Sequence, residues 1–257
     1  MNIFLNSNEY YETIFQRRSG RKYSAESPMT RENAEHILDV CRSLVPLVSD
    51  IPTRFELAER GSLPVKFGHF CILMYSKKTD NCYINAGYML QQLDLYMQNL
   101  GIGVCWYGMA SPKEKVGADG LEFMIMLTFG TPDGDMRRKS EDEFSRKPLT
   151  QIWSGNTISG VSEAVRLSPS ACNSQPWMFT ADGARVTVSR NVRIKTIIPR
   201  AFRKRFNSID VGIAMCIFEL ALSNQGVRFE RELFSEGAEA DENGLIRIAL
   251  YKLEKEI

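Results

Sequence analysis

Apolar and polar positions alternate along the chain with two periods, one near 3.6 residues and one near two, and their succession predicts the elements. From Asn8 to about Arg17, Tyr11, Ile14 and Phe15 fall on one helical face. A second helix follows Thr30, which has Asn33 three residues on, and continues through Ile37, Leu38 and Cys41. Phe70 to Tyr75 reads as a strand, and Asn85 to Leu100 as a long helix stopped by Gly101. Val104 to Met109 and Phe123 to Phe129 read as short buried strands. The polar stretch from Gly130 to Lys147 reads as a connector. Beyond it, Ile158 to Leu167 is helical, and Trp177 to Thr180 pairs with Arg185 to Ser189 in a hairpin around Ala181-Asp182-Gly183-Ala184. Asp210 to Asn224 is a further long helix, and Ile246 to Leu253 closes the chain as a strand. This mixed order predicts an α+β fold rather than a doubly wound sheet.

The two long helices overlay without gaps at a constant shift of 125 residues. Ile84 then matches Ile209, Gly87 matches Gly212, Leu95 matches Leu220, Asn99 matches Asn224 and Gly101 matches Gly226, while Asp94 faces Glu219. Either two buried helices match by chance or the chain is a duplication. The common glycine stop favours duplication, with residues 1–147 as one half and 148–257 as the other in one compact unit. A helix apolar over most of its circumference is buried on several sides, which suits the central contact of a pseudo-twofold pair.

The chain's 257 residues carry a net charge of +1, so no whole-molecule field draws nucleic acid or an acidic membrane. Any anion site must be a local cluster. The six cysteines form no C-x-x-C pair and read as reduced thiols of a cytosol. The segment Met1 to Asn6 lacks the basic start and long apolar run of a signal peptide. The longest apolar run, Val211 to Phe218, falls short of the ~20 residues of a spanning helix. A soluble, cytoplasmic protein is expected.

Two segments carry chemistry. In Arg17-Arg18-Ser19-Gly20-Arg21, arginine forks match phosphate oxygens bidentately, and the Ser19 hydroxyl and backbone donors near Gly20 complete a cradle. The same run also reads as a solvated basic turn. Arg17 and Arg18 cannot both face one point, so one of them is left to pair with a carboxylate. In Ser168-Pro169-Ser170-Ala171-Cys172-Asn173-Ser174-Gln175-Pro176-Trp177, two prolines fix an extended loop after a helix. Ser170, Asn173 and Gln175 offer groups that meet the carbonyls and ring nitrogens of an isoalloxazine edge. Trp177 reads as core, and Cys172 as a loop filler or a redox thiol. His36 and His69 sit in no metal-ligand spacing. Gly101-Ile-Gly103 follows a helix and lacks a third glycine, so it is no dinucleotide fingerprint. Arg200, Arg203, Lys204 and Arg205 form a solvated face or a contact for substrate or NAD(P)H phosphate.

R-R-S-x-R-K followed by P-S-x-x-N-x-Q-P-W resembles the nitroreductase superfamily. Gly101 to Gly108 is similar to its G-x-G-x-x-W-x-G strand, and Phe129-Gly130-Thr131-Pro132 with Arg137-Arg138-Lys139 to its F-G-x-P and basic closing segment. The P-S-x-x-N loop stands in the second half of this chain, as in the subgroup where two degenerate halves are fused. The resemblance implies a nitroreductase-like fold, a monomeric pseudo-dimer with a further dimer open, and one FMN shared between halves. Arg17, Arg18, Ser19, Arg21, Arg138 and Lys139 would hold its phosphate, and Pro169, Ser170 and Asn173 its ring. Tyr107 and Gly108 would approach the ring with backbone groups. Gly20 departs from the bulky residue common at its position, and no asparagine of the first half matches one that many members have. The same shift of 125 lays Ser168 to Trp177 over Ser43 to Pro52, without the amide pattern, and Arg17-Arg18-Ser19 over Asp142-Glu143-Phe144, with the charge reversed. One complete site and one dead site are expected. The implied activity is ping-pong hydride transfer from NAD(P)H through FMN to a nitroaromatic, quinone or activated alkene, with no obligatory side-chain acid or base. The alternative is an FMN-binding protein without turnover.

Overall fold

A computed structural model describes residues 8–254. The segment Met1 to Asn6 lies outside the described residues. Two helices open the fold, α1 (Asn8–Gln16) and α2 (Arg31–Val40). Thr30 caps α2 by accepting a hydrogen bond from the Asn33 backbone N–H. Strands β1 (Thr53–Glu59) and β2 (Phe70–Ser76), helix α3 (Cys82–Asn99), and strands β3 (Gly103–Tyr107) and β4 (Glu122–Gly130) complete the first half. The second half holds β5 (Trp153–Gly155), α4 (Val161–Arg166), β6 (Trp177–Asp182), β7 (Arg185–Asn191), α5 (Arg200–Asn224), β8 (Phe229–Leu233) and β9 (Leu245–Leu253).

The first sheet has the order β1-β2-β4-β3 and the second β5-β6-β7-β9-β8. Remove β5, which joins β6 in parallel, and the two sheets share one antiparallel topology. Each carries a register shift between corresponding strands, at Met74/Tyr75 against β4 and at Val188/Ser189 against β9. In both halves the long helix lies between the second strand and the third. The chain therefore folds as the same α+β unit twice.

The two units meet at α3 and α5. A side chain at Gly87 would put its Cβ 2.0 Å from the Ile209 carbonyl oxygen, and one at Gly212 would put it 2.0 Å from the Ile84 oxygen. Under the shift of 125 these two contacts are images of each other, so the pseudo-twofold axis passes between the glycines. The glycines admit backbone-to-backbone approach, and nearly every residue around the crossing is buried, from Ile84 to Leu95 and from Asn207 to Leu222.

Several elements differ from the sequence expectation. Helix α5 begins at Arg200, ten residues before Asp210, and α3 begins at Cys82. Strands β1, β5 and β8 were not anticipated. Helix α4 is shorter than Ile158–Leu167 because Gly160 takes a left-handed conformation (φ 74°) in front of it. With its full 25 residues and mean hydropathy of 1.5 over its most apolar window, α5 is long and apolar enough to cross a membrane, unlike the run from Val211 to Phe218 alone. That window is 94% buried inside the protein, as the central helix of the fold requires.

Candidate functional site

The segment after α1 is laid along the first sheet and gripped by α3. The Gly20 N–H donates to the Val104 carbonyl at 2.7 Å, and Ser19 bridges Val104 in parallel. A Cβ at Gly20 would lie 2.8 Å from Met136 Cε and 3.0 Å from the Val104 nitrogen, which accounts for the absence of a bulky residue there. One turn apart on α3, Asp94 and Gln98 hold the two arginines. Arg17 donates from Nε (3.1 Å) and Nη2 (3.3 Å) to the Asp94 carboxylate, and the Arg18 N–H donates to Gln98 Oε1 at 2.8 Å. Arg17 is fully buried in this pair. The Arg18 side chain reaches out to the Glu143 carboxylate. Thus both arginines pair with carboxylates, where the sequence anticipated this of one. The charge reversal that the shift of 125 placed opposite Arg18 is its own salt-bridge partner. Arg21 is exposed and reaches the Cys105 thiol, partly offsetting the upward push of burial on that thiol.

Arg138 and Lys139 diverge. Arg138 turns inward, donating to the carbonyls of Arg17 and Glu143, with its guanidinium 4.0 Å above the Phe144 ring. Lys139 is exposed and paired with Asp135. Arg138 also lines an open cleft of about 760 Å³ with Lys139, Gln16 and Arg137.

The loop between α4 and β6 turns sharply, with Cys172, Asn173 and Gln175 at φ of 51°, 54° and 47°. Non-glycine residues hold such angles only when their surroundings over-determine them. Two anchors do so here. Lys147 donates its N–H to Gln175 Oε1 at 3.0 Å and its Nζ to the Ser174 carbonyl at 2.6 Å. Asp210, inside α5, accepts the Ala171 N–H at 3.0 and 3.1 Å and the Ser174 hydroxyl at 3.4 Å. Ser170 Oγ accepts the Gln175 N–H at 2.9 Å, while Pro169 is buried. The Asn173 amide faces back to the connector, donating to the Ser145 carbonyl at 2.6 Å and accepting from Arg146 at 2.8 Å.

In the other half Asn85 stands where Asp210 does, and its Oδ1 accepts the N–H groups of Leu47 (2.8 Å) and Val48 (3.1 Å). There the space is closed by protein. Asn81 donates to the Phe234 carbonyl and accepts the Glu236 N–H, and Arg231 bonds Glu219 and the Leu47 carbonyl.

Burial pushes the Asp210 carboxyl up to about 8 against the lowering effect of Ala171 and Ser174. Between the usual carboxylate range and that value the folded protein keeps a proton that the unfolded chain releases. Stability therefore falls as pH rises through this window and levels off above it. Asp210→Asn keeps an acceptor for the loop, as Asn85 does, and is expected to remove the slope. Denaturant unfolding at about pH 5 and about pH 9 checks this: the variant gains on the wild type at the higher pH, and an unchanged slope contradicts the assignment.

Gly108, at the end of β3, sits against Phe206 of α5, whose ring carbon lies 2.6 Å from where a Cβ would be. Phe206 and Phe202 rings are 6.4 Å apart, and Phe202 and Met109 are exposed. The Tyr107 side chain points to the opposite face, packing on Phe67 and accepting the Lys66 N–H. Of the basic cluster, Arg203 and Arg205 are used internally, on the carbonyls of Ile198, Thr196 and Met124. His69 is likewise structural, accepting from the Met29 N–H and facing the Ser24 carbonyl.

Sequence reasoning missed Arg146, Phe144, Asp210 and Phe206. The first two lie in the polar connector, where no periodicity marks them. Asp210 was visible as the partner of Asn85 under the shift of 125.

The model of a protein family described as "Putative TM nitroreductase" matches residues 9–222. The chain belongs to this family. Among solved structures, a "putative nitroreductase" from Thermotoga maritima superposes over 96% of this chain and 94% of its own, with TM-score 0.63 and 18% identity, which shows a shared fold. A "Putative NADH dehydrogenase/NAD(P)H nitroreductase" from Bacteroides thetaiotaomicron covers 57% of this chain and 96% of its own (TM-score 0.44, 18% identity). A "putative nitroreductase in complex with fmn" from Desulfovibrio desulfuricans covers 56% of this chain and 95% of its own (TM-score 0.43, 21% identity). No curated protein matches the chain.

Proposed function

We propose that the chain is an FMN-dependent oxidoreductase with one flavin site, shared between two halves that arose by duplication, 1–147 and 148–257. The observation that carries this reading is the carboxylate pairing of the arginine cluster. Arg17, Arg18 and Arg166 each have a carboxylate partner, in Asp94, Glu143 and Glu141. Arg138 and Arg146 have none within 4.0 Å among the described residues. Burial and the neighbouring Arg17 and Arg18 push the Arg138 guanidinium down to about 10. Two guanidinium groups without a carboxylate, in a cluster where Arg18 Nε also lacks a partner, carry positive charge of the kind a phosphate dianion neutralises. The residues present thus fit the phosphate end of FMN.

The ring end has a second support. Gly108 exposes backbone beside Phe206, Phe202 and Met109, an apolar surface of the kind that takes planar ligands. When bound, FMN supplies the hydride-transfer chemistry, with NAD(P)H as donor and a small nitroaromatic, quinone or activated alkene as acceptor. The chain's own residues bind and orient. Arg138 neutralises phosphate, Asp94 and Gln98 fix the segment that leads to it, and Asp210 holds the ring-side loop. The half-site around Asn85 is filled by its own chain and binds nothing. Because both halves lie in one polypeptide, a single copy suffices for activity.

Anaerobic titration of FMN-loaded protein with NADH and NADPH tests the reading. Bleaching of the oxidised flavin absorbance by either donor is expected. Bound FMN that neither donor reduces would instead make this a flavin-binding protein without turnover.

A further inference from the structure

The basic run that leads into α5 has no part in the flavin site. Residues 191–209 hold six cations, Arg193, Lys195, Arg200, Arg203, Lys204 and Arg205, and no carboxylate, in a chain whose net charge is +1. None of the six forms an ion pair among the described residues. Arg203 and Arg205 direct their donors to carbonyls of Ile198, Thr196 and Met124, which are neutral and leave the charge uncompensated. Arg193 packs along Gly244, whose turn carries Asp241 and Glu242. Lys195, Arg200 and Lys204 are exposed. Arg200, Arg203 and Lys204 also stand at the start of a 25-residue helix with no acidic residue in its first turn. There the helix dipole disfavours cations, and Arg200 and Lys204, four residues apart, repel each other. The fold keeps positive charge where its own electrostatics oppose it, and an external anion relieves that opposition.

The same segment carries apolar side chains that stand away from the protein. Among the described residues six large apolar side chains are exposed, and Val192, Ile197 and Phe202 fall here. The carbonyls of Thr196 and Ile198, on either side of Ile197, both turn to Arg203, and Ile198 is buried. Ile197 is left 87% exposed. Phe202 follows in the first turn of α5, its N–H on the Pro199 carbonyl, and Phe206 links it to Gly108 and the 92% exposed Met109. Ligand pockets are concave, and side chains this exposed line none, so a nucleotide phosphate accounts for the cations but not for them. Interfaces between proteins are depleted of lysine, whereas Lys195 and Lys204 flank Ile197 and Phe202 in sequence. Cations interleaved with protruding apolar side chains match an anionic bilayer, whose headgroups meet the charges while the apolar tips enter the acyl boundary.

We infer that segment 192–204 is a peripheral docking surface for an anionic phospholipid membrane. Lys195, Arg200 and Lys204 meet lipid phosphates, and Ile197 and Phe202 insert their side chains. A local cluster suffices in a nearly neutral chain, because the attraction acts within a Debye length of the surface. Helix α5 itself stays in the core from Asn207 to Leu222, so the contact is made at its exposed start. The surface is independent of flavin.

Flotation of the full chain with vesicles tests this. Wild type is expected to float with vesicles of phosphatidylglycerol and phosphatidylcholine, to stay in solution with phosphatidylcholine alone, and to release at high salt. Arg200→Gln with Lys204→Gln lowers partitioning about fivefold for each cation removed. Ile197→Ser lowers it roughly tenfold. Both variants keep the wild-type Tm or exceed it, because the side chains are exposed and the lost cations opposed the helix dipole. Absence of binding to the phosphatidylglycerol vesicles overturns the docking surface. So does binding that the double variant leaves unchanged, which would place the contact elsewhere on the protein. Binding that Ile197→Ser leaves unchanged overturns the insertion. If vesicles fail while polyglutamate or adenosine 2′,5′-bisphosphate binds, and the double variant abolishes that binding, the cations serve an acidic protein or a nucleotide and the membrane reading falls. None of these measurements involves FMN, so their failure is separate from failure of the flavin reading.

Discussion

Arg17→Ala is expected to lower folding stability by about 3–5 kcal/mol, the cost of stripping one partner from a buried ion pair. The size follows from what remains. Asp94 has no accessible side-chain surface, and without Arg17 its carboxylate keeps, among the described residues, the Gln98 amide at 2.8 Å. An isolated buried carboxylate takes up a proton or draws in water, and both disrupt the contact between α1, α3 and the segment leading to Arg18. For a chain of this size the loss corresponds to a fall in Tm of roughly 6–20 °C. The double variant Arg17→Met with Asp94→Leu separates the pair from the site. Replacing both charges with apolar groups is near neutral for stability in other buried pairs, so most of the loss should return. A single variant within about 0.5 kcal/mol of wild type would mean that the pair is solvated, contrary to its burial.

The second large effect is expected at the crossing of the long helices. In an exposed helix, Gly→Ala stabilises by about 0.5–1 kcal/mol, because glycine is the costlier residue there. At Gly87 and Gly212 the sign reverses. The new Cβ would stand 2.0 Å from a carbonyl oxygen of the partner helix, and neither backbone can move without displacing the sheet packed behind it. Overpacking a core costs about 1–3 kcal/mol and more where backbone is struck, so Gly87→Ala or Gly212→Ala should cost at least about 3 kcal/mol, and valine should prevent folding. Urea denaturation measures the alanine variants. A Gly212→Ala protein as stable as wild type would show that the two halves do not meet at this pair.

The central crossing was legible because it depends on two residues of a kind that sequence displays plainly. Glycine in a buried helix has few explanations other than close approach, and the gapless match of Ile84-Gly87 with Ile209-Gly212 carried the pseudo-symmetry with it. Strands β1 and β8 were hidden for the opposite reason. Thr53-Arg54-Phe55-Glu56-Leu57-Ala58 is half-buried on both faces and Glu59 is exposed, and Phe229-Glu230-Arg231-Glu232-Leu233 mixes charge with apolar residues at the edge of its sheet. Edge strands need only one apolar face, and charges on the other protect them from pairing with other chains. The first turns of α5 looked like a basic surface because they project beyond the core, and Arg205 reaches the Met124 carbonyl only in three dimensions.

The candidate site was legible in part. The arginine run and the P-S-x-x-N loop stood out in the sequence, but which arginine is held internally depends on carboxylates far away in sequence. Asp94 takes Arg17, and Glu143 takes Arg18. No local pattern foretells either choice. Arg146 stayed hidden because a cation in a polar connector ordinarily faces solvent, and here Phe144, Asn173 and the Leu167 carbonyl turn it inward. Asn173, expected to face the ring, is held by that same arginine.

The account's central claim is a single flavin site made jointly by two unlike halves. Titrating apoprotein with FMN at concentrations well above the dissociation constant, and following the quenching of flavin fluorescence, tests it directly. A break at one FMN per chain is predicted. A break at two would mean that the half-site around Asn85 is open after all, and no break would remove the flavin from the account.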